Sequence, residues 1–433
     1  MRSSTAANRT WRMIAIAALL CVAQWCPSIR SFSAAPSSLK TTKRNSIPTF
    51  AELQKCVTIQ DMLQRIAARL PCGTSSHDKR EILMLSSTLL VRLSKQAVGW
   101  DNEERFALLG GGNTTGRTTS SLREECSWDS LNQVVKALVS SNDSWDSSPS
   151  TVEAVVEATK AAAILSRLLN IDGDARVALG PPLIQQWQRI SSTVAEDLLP
   201  HQLSGMKWAV DCFQLVGQNV FLPDELQQAH DALQLPFCIR PGAMNVIPDL
   251  TVPNLLQQVD FQMDTIRTPS NKLVPERRQT AWEGDEHVAP FEYSGKRMPR
   301  QSWSSLVRKV RDTLQEQMGT YYDGCLLNHY PDGGSGMRYH IDPDQGTVWD
   351  YSTTVVSVGA TRKFAFRESL STFSDSLSSS SSSLKPHVFT LMEGDCTEMF
   401  GDCQSRFQHT VRTAEMPHEQ AARASLVFKK TLL

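Results

Sequence analysis

The sequence predicts an α+β protein in which an all-helical N-terminal region precedes a strand-rich C-terminal region. Between Thr49 and Gly217, apolar residues recur every three or four positions, for example at 81–93 and 152–169, which is typical of amphipathic helices. After Pro236 the sequence becomes rich in Pro, Gly, aromatic and β-branched residues, which favours strands. A chain of 433 residues is also too long for one ordinary compact core. We therefore expect two folded units with tails.

Three segments divide the chain in this interpretation: a leader at 1–48, a helical domain at 49–235 and a strand-rich domain at 236–433. Within the last, 355–366 predicts two paired strands around a Gly-containing turn, and 388–392 and 424–428 predict further strands. The run of six serines from Ser378 to Ser383 cannot bury apolar surface. We expect a disordered hairpin insertion there, spanning 370–386.

The helical region carries two interpretations. The segment 198–215 resembles one unit of the helix-pair repeats of algal organellar RNA-binding proteins, although no strict period continues across the region. A plain helical bundle that packs on the C-terminal domain is the alternative, and the lack of a period favours it.

Composition limits the partners and the redox chemistry. The chain has 44 Lys and Arg against 45 Asp and Glu, so it is not a polycation, and any nucleic-acid site must be local. Its ten cysteines include no Cys-x-x-Cys pair. This spacing favours reduced, mostly buried thiols over a structural zinc site.

The N-terminus predicts a targeting leader. Residues 1–51 contain seven Lys and Arg and no acid, and a short apolar run at 13–23 follows Arg9 and Arg12. This is a signal-peptide-like layout, too short to span a bilayer. The segment 30–36 resembles the cleavage site of bipartite plastid-targeting leaders. We expect import into an organelle, with the plastid preferred, and no membrane span in the mature protein; a mitochondrial presequence, a secretory signal and an uncleaved anchor are the alternatives.

A candidate metal site lies in the C-terminal region. On a strand, the spacing of His340 and Asp342 directs both side chains to one face, and one further His completes a set of two His and one carboxylate. Such sets leave adjacent positions open on the metal, as non-haem Fe(II) oxygenases require. A lone His-x-Asp motif is common by chance, but its neighbours favour a metal site here. Asn328, Tyr330 and a Gly-rich loop precede it, and Gln408-His409 and Arg423-Ala-Ser425 follow it.

The order of these motifs resembles the AlkB branch of the 2-oxoglutarate oxygenases. The order is Asn-x-Tyr, a Gly-rich loop, His-x-Asp-x-Asp, paired strands, Gly-Asp, His and Arg-x-Ser, and the resemblance covers 236–433. Upstream, 275–285 and 293–295 resemble the segment that precedes the double-stranded β-helix in nucleic-acid demethylases of this family. The resemblance therefore implies a jelly-roll oxygenase domain that uses Fe(II), 2-oxoglutarate and O2 to hydroxylate a C–H bond.

The resemblance also implies roles for individual residues. Iron would be bound by His340, Asp342 and His409. Arg423 would pair with the distal carboxylate of 2-oxoglutarate, because its planar fork suits a carboxylate. The further co-substrate contacts would be Ser425, Asn328, Tyr330 and Lys429, and the last stands where the family usually has a second Arg.

The sequence leaves two possible roles for each of two candidate substrate contacts. Asp344 either bonds the target base or is a solvated loop carboxylate, and Trp282 either stacks on a flipped base or lies in the core. Residues 267–311 hold ten Lys and Arg against five acids, which predicts a basic lid that includes Arg277 and Arg278. The stretch 264–271 offers only Ile266 as an apolar wedge. Single-stranded DNA or RNA is therefore at least as credible a partner as a duplex.

Three functions remain: an organellar nucleic-acid demethylase, a hydroxylase of a protein or small molecule, and a catalytically silent organellar RNA-binding protein. The metal set and Arg423 argue against the third. The first two differ in one observable feature, namely whether residues 277, 278, 296, 297 and 300 form one positive surface at the pocket mouth. The sequence makes no prediction about oligomeric state.

Overall fold

The computed structural model describes residues 62, 66, 76–99, 134–139, 148–170, 178–267, 271–369, 385–415 and 420–432. The predicted leader at 1–48 and residues 370–384 of the predicted insertion lie outside the described residues. The described residues form one compact unit of helices and sheets. Within it, the domain boundary at 235/236 stays a prediction.

Helices make up the described elements before Phe237. They are α1 (Ser76–Ala97), α2 (Pro149–Leu169), α3 (Gly180–Val194), α4 (Pro200–Leu215) and α5 (Asp224–Ala232). Helix α2 begins with a proline, which costs no hydrogen bond in the first turn, and its Ala-rich sequence is buried on most sides between α1 and α4. These elements agree with the helical prediction over 76–97 and 149–232, whereas an all-helical arrangement of the whole region 49–235 stays a prediction.

A six-stranded antiparallel sheet forms one layer of the C-terminal region. Its order is β1-β12-β9-β14-β7-β4. The strands are β1 (Phe237–Arg240), β4 (Gln279–Gly284), β7 (Gly324–Tyr330), β9 (Trp349–Gly359), β12 (Cys396–Met399) and β14 (Arg423–Thr431). The two strands predicted at 355–366 are present as the end of β9 and the start of β10, but the prediction that they pair with each other is wrong, because β9 pairs with β12 and β14 while β10 crosses to the second sheet.

A four-stranded sheet forms the second layer, in the order β11-β10-β13-β8. Its strands are β8 (Met337–His340), β10 (Arg362–Glu368), β11 (His387–Leu391) and β13 (Phe407–Val411). Two ribbons stand apart from both sheets, β2 (Thr265–Arg267) with β3 (Leu273–Pro275) and β5 (Phe291–Tyr293) with β6 (Lys296–Met298). The remaining helices are α6 (Val252–Gln258), α7 (Ser305–Met318) and α8 (Cys403–Arg406).

Helices α6 and α7 cover the outer face of the six-stranded sheet. Alternation along β7 and β14 places Leu327 and Phe428 on this face, where they join Leu255, Val307 and Leu314 in one apolar cluster. Helix α7 ends at Gly319, whose φ of 71° is the left-handed conformation that glycine adopts without strain. The two helices therefore cover one face of the six-stranded sheet, and alternate residues of β7 and β14 on the other face line the cavity described below.

The helical region closes the edge of the sandwich at β11 and β1. Helix α4 contacts both strands, with Trp208 edge-on to Phe389 and Ser204 Oγ 2.8 Å from His387 Nδ1. Helical and strand residues share a single apolar cluster. The helices thus pack on the C-terminal strands, as the second interpretation of the helical region expected. The sequence pattern did not predict which residues would meet, because the contacts join residues about 180 positions apart.

None of the helices in the described ranges is long and apolar enough to cross a bilayer. The described cysteines Cys212, Cys238, Cys325, Cys396 and Cys403 are free thiols, and all but Cys238 are fully buried.

We predict that residues 236–433 alone are much less stable than the full chain. The fragment lacks Arg167, whose guanidinium forms a buried ion pair with Asp395, and loss of one partner of such a pair costs about 3–5 kcal/mol. It also exposes the face of Phe389 that Trp208 covers. Urea unfolding followed by near-UV circular dichroism should show an earlier midpoint than the full chain. A fragment that unfolds cooperatively at the same midpoint would contradict the shared core.

We also predict a pH-dependent stability that originates at Glu283. Its side chain is buried and accepts hydrogen bonds from Ser304 N (2.9 Å) and Ser304 Oγ (3.1 Å) at the start of α7. Burial raises the pKa of Glu283 to about 7, and the Ser304 hydrogen bonds only partly offset it. Because the folded state binds this proton more tightly than the unfolded state, the contribution is complete below about pH 4.5 and is lost as pH rises through 7.

Glu283→Gln should therefore raise the free energy of unfolding at pH 8 by about 1–3 kcal/mol and change it little at pH 5. Urea denaturation at both pH values measures this difference. Glu286→Gln, at an exposed position in the following turn, is the matched control and should have no comparable effect. Equal effects of Glu283→Gln at pH 5 and pH 8 would refute the assignment.

Candidate active site

Strand pairing brings the three predicted metal ligands together. His340 ends β8 and lies directly opposite His409 of β13, and their ring centroids are 4.2 Å apart. Asp342 follows two residues after His340, and its Oδ1 lies 3.6 Å from the Nε2 atoms of both histidines. One ligand atom from each residue lies within 4.8 Å of the other two. A register shift next to His409 marks a bulge, a feature that often redirects side chains beside active sites.

Neighbouring groups orient these ligands. His340 Nδ1 donates to the carbonyl oxygen of Arg338 at 2.9 Å, which leaves the Nε2 lone pair for a metal. His409 stacks in parallel on Phe364, with ring centroids 5.7 Å apart. The Asp342 N–H donates to Gln404 Oε1 at 2.8 Å. Each ligand is therefore held by a contact outside the set itself.

The protonation states suit metal binding. Burial lowers the pKa of His409 to about 3, with His340 as a further cause, so the imidazole is neutral at physiological pH. Burial alone would raise the pKa of Asp342, but Lys429, His340 and His409 outweigh burial and hold it well below its usual range. Neutral imidazole and ionised carboxylate are the forms that bind a metal.

Lys429 is committed to the metal-ligand carboxylate. Its Nζ lies 2.8 Å from Asp342 Oδ2, and its side chain is only 1% exposed. The sequence predicted Lys429 as a contact for the co-substrate. The structure places it beside Asp342 and on the cavity wall, so its charge acts first on the carboxylate.

The other predicted co-substrate residues lie on two neighbouring strands. In the pairing of β7 with β14, Arg423 stands opposite Tyr330, and Ser425 stands opposite Asn328. Several of their buried polar atoms find no hydrogen-bond partner among the described residues: both side-chain atoms of Asn328, the hydroxyl of Tyr330, and Nε and Nη1 of Arg423. Each such group costs about 1–3 kcal/mol if it stays unpaired. The oxygens of a bound dicarboxylate would accept from the donors in this set, which are the Asn328 amide nitrogen, the Tyr330 hydroxyl and the two Arg423 nitrogens, so the residues present fit 2-oxoglutarate.

A cavity of about 410 Å³ contains this set. All three metal ligands line it, together with Asn328, Tyr330, Ser425 and Lys429. Arg423 lies behind this wall, 1% exposed, with its guanidinium carbon 5.7 Å from the centre of the Tyr330 ring. Burial lowers the pKa of Arg423 to about 10, so it remains a cation at neutral pH.

A charged cluster lies at another part of the cavity wall, to which Glu276, Arg278 and Tyr293 contribute. Glu276, buried at the end of β3, accepts hydrogen bonds from the Tyr293 hydroxyl (2.8 Å) and from Arg278 Nε (2.7 Å). Lys296 Nζ lies 2.8 Å from Asp264 Oδ2 and 3.4 Å from Glu276 Oε2. Two cations thus face two carboxylates, and the cluster has no net charge.

The predicted basic lid is therefore not one positive surface. Arg278 lines the cavity but is paired with Glu276, and Lys296 is buried in its ion pairs. Arg297 pairs with Glu292, and Arg300 donates to the Gly284 carbonyl, while Arg277 is exposed and does not line the cavity. These cations do not form one surface because Glu276, Glu292 and Asp264, which lie in or next to the same segment, pair with Arg278, Arg297 and Lys296.

The two residues for which the sequence left two roles open both lie outside the cavity wall, in agreement with the core role of Trp282 and the exposed-loop role of Asp344. Trp282 is fully buried between Phe291 and Trp349, and its Nε1 donates to the Ala289 carbonyl, so it lies in the core and not on the cavity wall. Asp344 is exposed in the turn after the metal ligands, with φ of 60°. Its backbone carbonyl receives the turn hydrogen bonds. Asp344 does not line the cavity.

Sequence reasoning missed several residues that shape the site: Glu276, Tyr293, Phe364 and Gln404. Glu276 and Tyr293 lie in the segments 275–285 and 293–295 that resemble the family, but no sequence signal indicated that their side chains form a hydrogen bond. Phe364 and Gln404 lie in a strand and a short helix without a chemical motif, so the sequence carried no signal for them.

The fold and the site define a class of protein: a non-haem metal oxygenase domain with a buried receptor for a second, anionic substrate. Residues 249–429 match the model of the 2OG-Fe(II) oxygenase superfamily. This segment therefore belongs to the AlkB-like 2-oxoglutarate oxygenases, which are oxidoreductases of the dioxygenase type. Their metal is Fe(II), and their co-substrates are 2-oxoglutarate and O2.

Three curated proteins are similar to parts of this chain. An uncharacterized protein of Acanthamoeba polyphaga mimivirus is 37% identical over 75 residues, which is 17% of this chain and 39% of that protein. The human alpha-ketoglutarate-dependent dioxygenase alkB homolog 3 is 28% identical over 134 residues, 30% of this chain and 45% of that protein. The DNA oxidative demethylase ALKBH2 of Mus musculus is 30% identical over 90 residues, 21% of this chain and 37% of that protein. The chain thus spans less than half the length of each.

We predict that Asp342→Asn weakens metal binding by about 100-fold or more, because loss even of a group that supports a ligand costs 10–100-fold. Titration with Mn(II), followed by electron paramagnetic resonance, measures this directly. Asp344→Asn is the matched control, since it changes the same residue type two positions away and outside the cavity. An Asp342→Asn protein with wild-type Mn(II) affinity would exclude this metal site.

Proposed function

We propose that this protein is an Fe(II)- and 2-oxoglutarate-dependent oxygenase that demethylates N-alkylated bases in single-stranded DNA or RNA. One observation carries the oxygenase part of the proposal. The three metal ligands share a cavity with the unpaired polar atoms of Asn328 and Tyr330, and the Arg423 guanidinium lies directly behind them. A metal and a dicarboxylate can therefore be held side by side.

The strand order supports a double-stranded β-helix as the scaffold. Strands β7 to β14 are shared between the two sheets, with β7, β9, β12 and β14 in one and β8, β10, β11 and β13 in the other. Eight strands divided in this way between two sheets are typical of jelly rolls. The cavity lies between the two sheets, because both contribute residues to its wall.

The residues of the chain perform distinct tasks in this mechanism. His340, Asp342 and His409 would hold Fe(II), and Arg423 would bind the distal carboxylate of 2-oxoglutarate with its Nε and Nη1 donors. When bound, this pair supplies the oxidising chemistry: O2 gives one oxygen atom to succinate, formed with loss of CO2, and one to a substrate C–H bond. On an N-methyl group, the hydroxylated product releases formaldehyde.

The charged cluster at the cavity wall positions the substrate. Glu276 fixes the hydroxyl of Tyr293, and the Tyr293 ring also lies within 5.7 Å of Arg278 and 5.6 Å of Lys296. The ring is therefore held rigidly on the cavity wall. Aromatic rings in such places stack on bases, and a cavity of about 410 Å³ falls within the range that admits one small molecule or one base.

Nucleic acid as the substrate is supported by relatives and by local charge. One similar protein is named a DNA oxidative demethylase. At the cavity, Arg338 is exposed and lines the wall, and Arg277 is exposed on the chain segment that carries Glu276. Ile266 lines the cavity and is half-buried. Because 264–271 offers no other large apolar side chain as a wedge, we favour a base that enters from a single strand over one extruded from a duplex.

A second candidate is a hydroxylase of a protein or small molecule. The observation in its favour is the pairing of Lys296, Arg297 and Arg300 within the protein. These cations cannot form the phosphate-binding surface that the sequence predicted. The catalytically silent alternative is disfavoured, because the three metal ligands share the cavity and Arg423 lies directly behind its wall.

We further propose that residues 1–48 direct the chain to an organelle, with the plastid preferred. This proposal rests on the sequence of the leader alone. We propose no binding partner for the helical region, which packs on the strands β1 and β11.

The first experiment uses the full chain with Fe(II), ascorbate and 2-oxoglutarate. Oligonucleotides with 1-methyladenine or 3-methylcytosine, single-stranded or duplex, serve as substrates. Mass spectrometry measures loss of the methyl mass, and a coupled assay measures succinate. We expect both products with single strands and a loss of at least about 100-fold in Asp342→Asn.

The outcomes separate the candidates. Succinate without methyl loss would discard demethylation of these bases and favour the hydroxylase. Faster methyl loss from the duplex would reverse the strand preference. If a protein that binds Mn(II) normally forms neither succinate nor demethylated oligonucleotide, the oxygenase proposal is refuted.

A further inference from the structure

A buried ion pair joins the helical region to a turn of the sheet. Arg167, in the last turn of α2, bonds Asp395 through both terminal nitrogens at 2.9 and 2.7 Å. The two side chains are 6% and 0% exposed. The carboxylate also accepts the N–H groups of Gly242 (2.7 Å) and Met392 (2.8 Å). The turn between β11 and β12 is thus fixed to α2.

The same turn holds strand β9 at Ser357. The Ser357 N–H donates to the Asp395 carbonyl at 2.9 Å, and the Gly394 N–H donates to the Ser357 carbonyl at 2.9 Å. Gly394 has φ of 82°, and a Cβ there would lie 2.2 Å from Asn245 Oδ1. The turn therefore has one close-fitting conformation, and Ser357 is bonded to it on both sides of its backbone.

Ser357 in turn holds the cation of the co-substrate site. Its Oγ accepts a hydrogen bond from Arg423 Nη2 at 2.9 Å, between two buried residues. Arg423 Nε and Nη1 find no partner in the part of the chain that the structure describes. One edge of the guanidinium is therefore anchored, and the remaining donors are left for a ligand.

We propose that Arg167 is a positioning residue for 2-oxoglutarate binding, acting on Arg423 through Asp395 and Ser357. This inference rests on the proposed function, because it takes Arg423 as the receptor of the distal carboxylate. Arg167 itself touches neither metal nor co-substrate. It lies outside the segment 249–429 that matches the oxygenase family, so the helical region tunes the site from beyond the family's own boundaries.

The physical reason is the geometry of a buried fork. A guanidinium binds a carboxylate through two parallel hydrogen bonds, and such bonds weaken steeply with misalignment. Without Arg167, the Asp395 carboxylate would remain buried with only backbone donors. The turn and Ser357 would then lose their fixed position, and Arg423 would sample orientations that do not match the ligand. The loss appears in ligand affinity and leaves the metal ligands unchanged.

The test measures binding, so that it does not depend on turnover. Calorimetry with the full chain, Mn(II) and no O2 gives the Kd of 2-oxoglutarate, and a separate titration gives the Kd of Mn(II). We expect Arg167→Met and Ser357→Ala each to raise the Kd of 2-oxoglutarate by about tenfold, within the usual range of coupling between sites. The Kd of Mn(II) should stay unchanged. Arg167→Lys should lie between Arg167→Met and wild type.

A double-mutant cycle tests the route. If Arg167 acts through Ser357, the double variant should bind no more weakly than the weaker single variant, because the link is already broken. Lys385→Met is the matched control. It removes another ion pair of α2, the exposed pair of Glu153 with Lys385 just before β11 at 2.6 Å, which leads to no co-substrate residue. Its Kd for 2-oxoglutarate should equal that of wild type.

Several outcomes would overturn the proposal. A lower unfolding midpoint of Arg167→Met with an unchanged Kd would make Arg167 purely structural. Multiplying effects in the double variant would exclude the route through Ser357. If Arg167→Met does not fold, the same cycle with Arg167→Lys decides, and additive effects there overturn it equally. If the wild-type chain binds Mn(II) but no 2-oxoglutarate, the proposed function itself fails.

Discussion

The register between β8 and β13 is the constraint on which the whole site depends. Residues directly opposite each other in an antiparallel pair project to the same face, so His340 and His409 meet only in the observed pairing. A slip of one residue would turn one imidazole to the other face and dissolve the set. The parallel stack of Phe364 on His409 makes such a slip costly, because the slip would also remove the His409 ring from its contact with Phe364. Packing thus fixes the register, and the register fixes the chemistry.

Buried charge has a consistent organisation around this register. Asp342 is matched by Lys429, Glu276 by Arg278 and Lys296, and Asp395 by Arg167. Buried ion pairs contribute little net stability compared with apolar residues of the same size. Two donors of Arg423 find no hydrogen-bond partner within the residues that the structure describes. The proposed co-substrate would neutralise this cation.

Local signals predicted a large part of this arrangement. Helical periodicity and the composition change near Pro236 indicated the order of helices and strands, and motif spacing indicated the residues that line the cavity around the metal ligands. Pairing between distant segments could not be predicted in the same way. Trp282 was a candidate for base stacking because the sequence cannot show that Phe291 and Trp349 enclose it. A local excess of Lys and Arg likewise does not show which carboxylates will neutralise them, as Glu276 does for Arg278.

The contacts between the helical region and the sheets could not be predicted from local sequence signals. A change in composition suggested a boundary at 235/236, but Trp208 packs on Phe389 and Arg167 bonds Asp395 across it. Segments that share a core and a buried charge cannot move independently. A chain that builds its oxygenase scaffold in this way makes the orientation of Arg423 depend on residues about 250 positions earlier. Any partner that displaces α2 would then act on co-substrate affinity without entering the cavity.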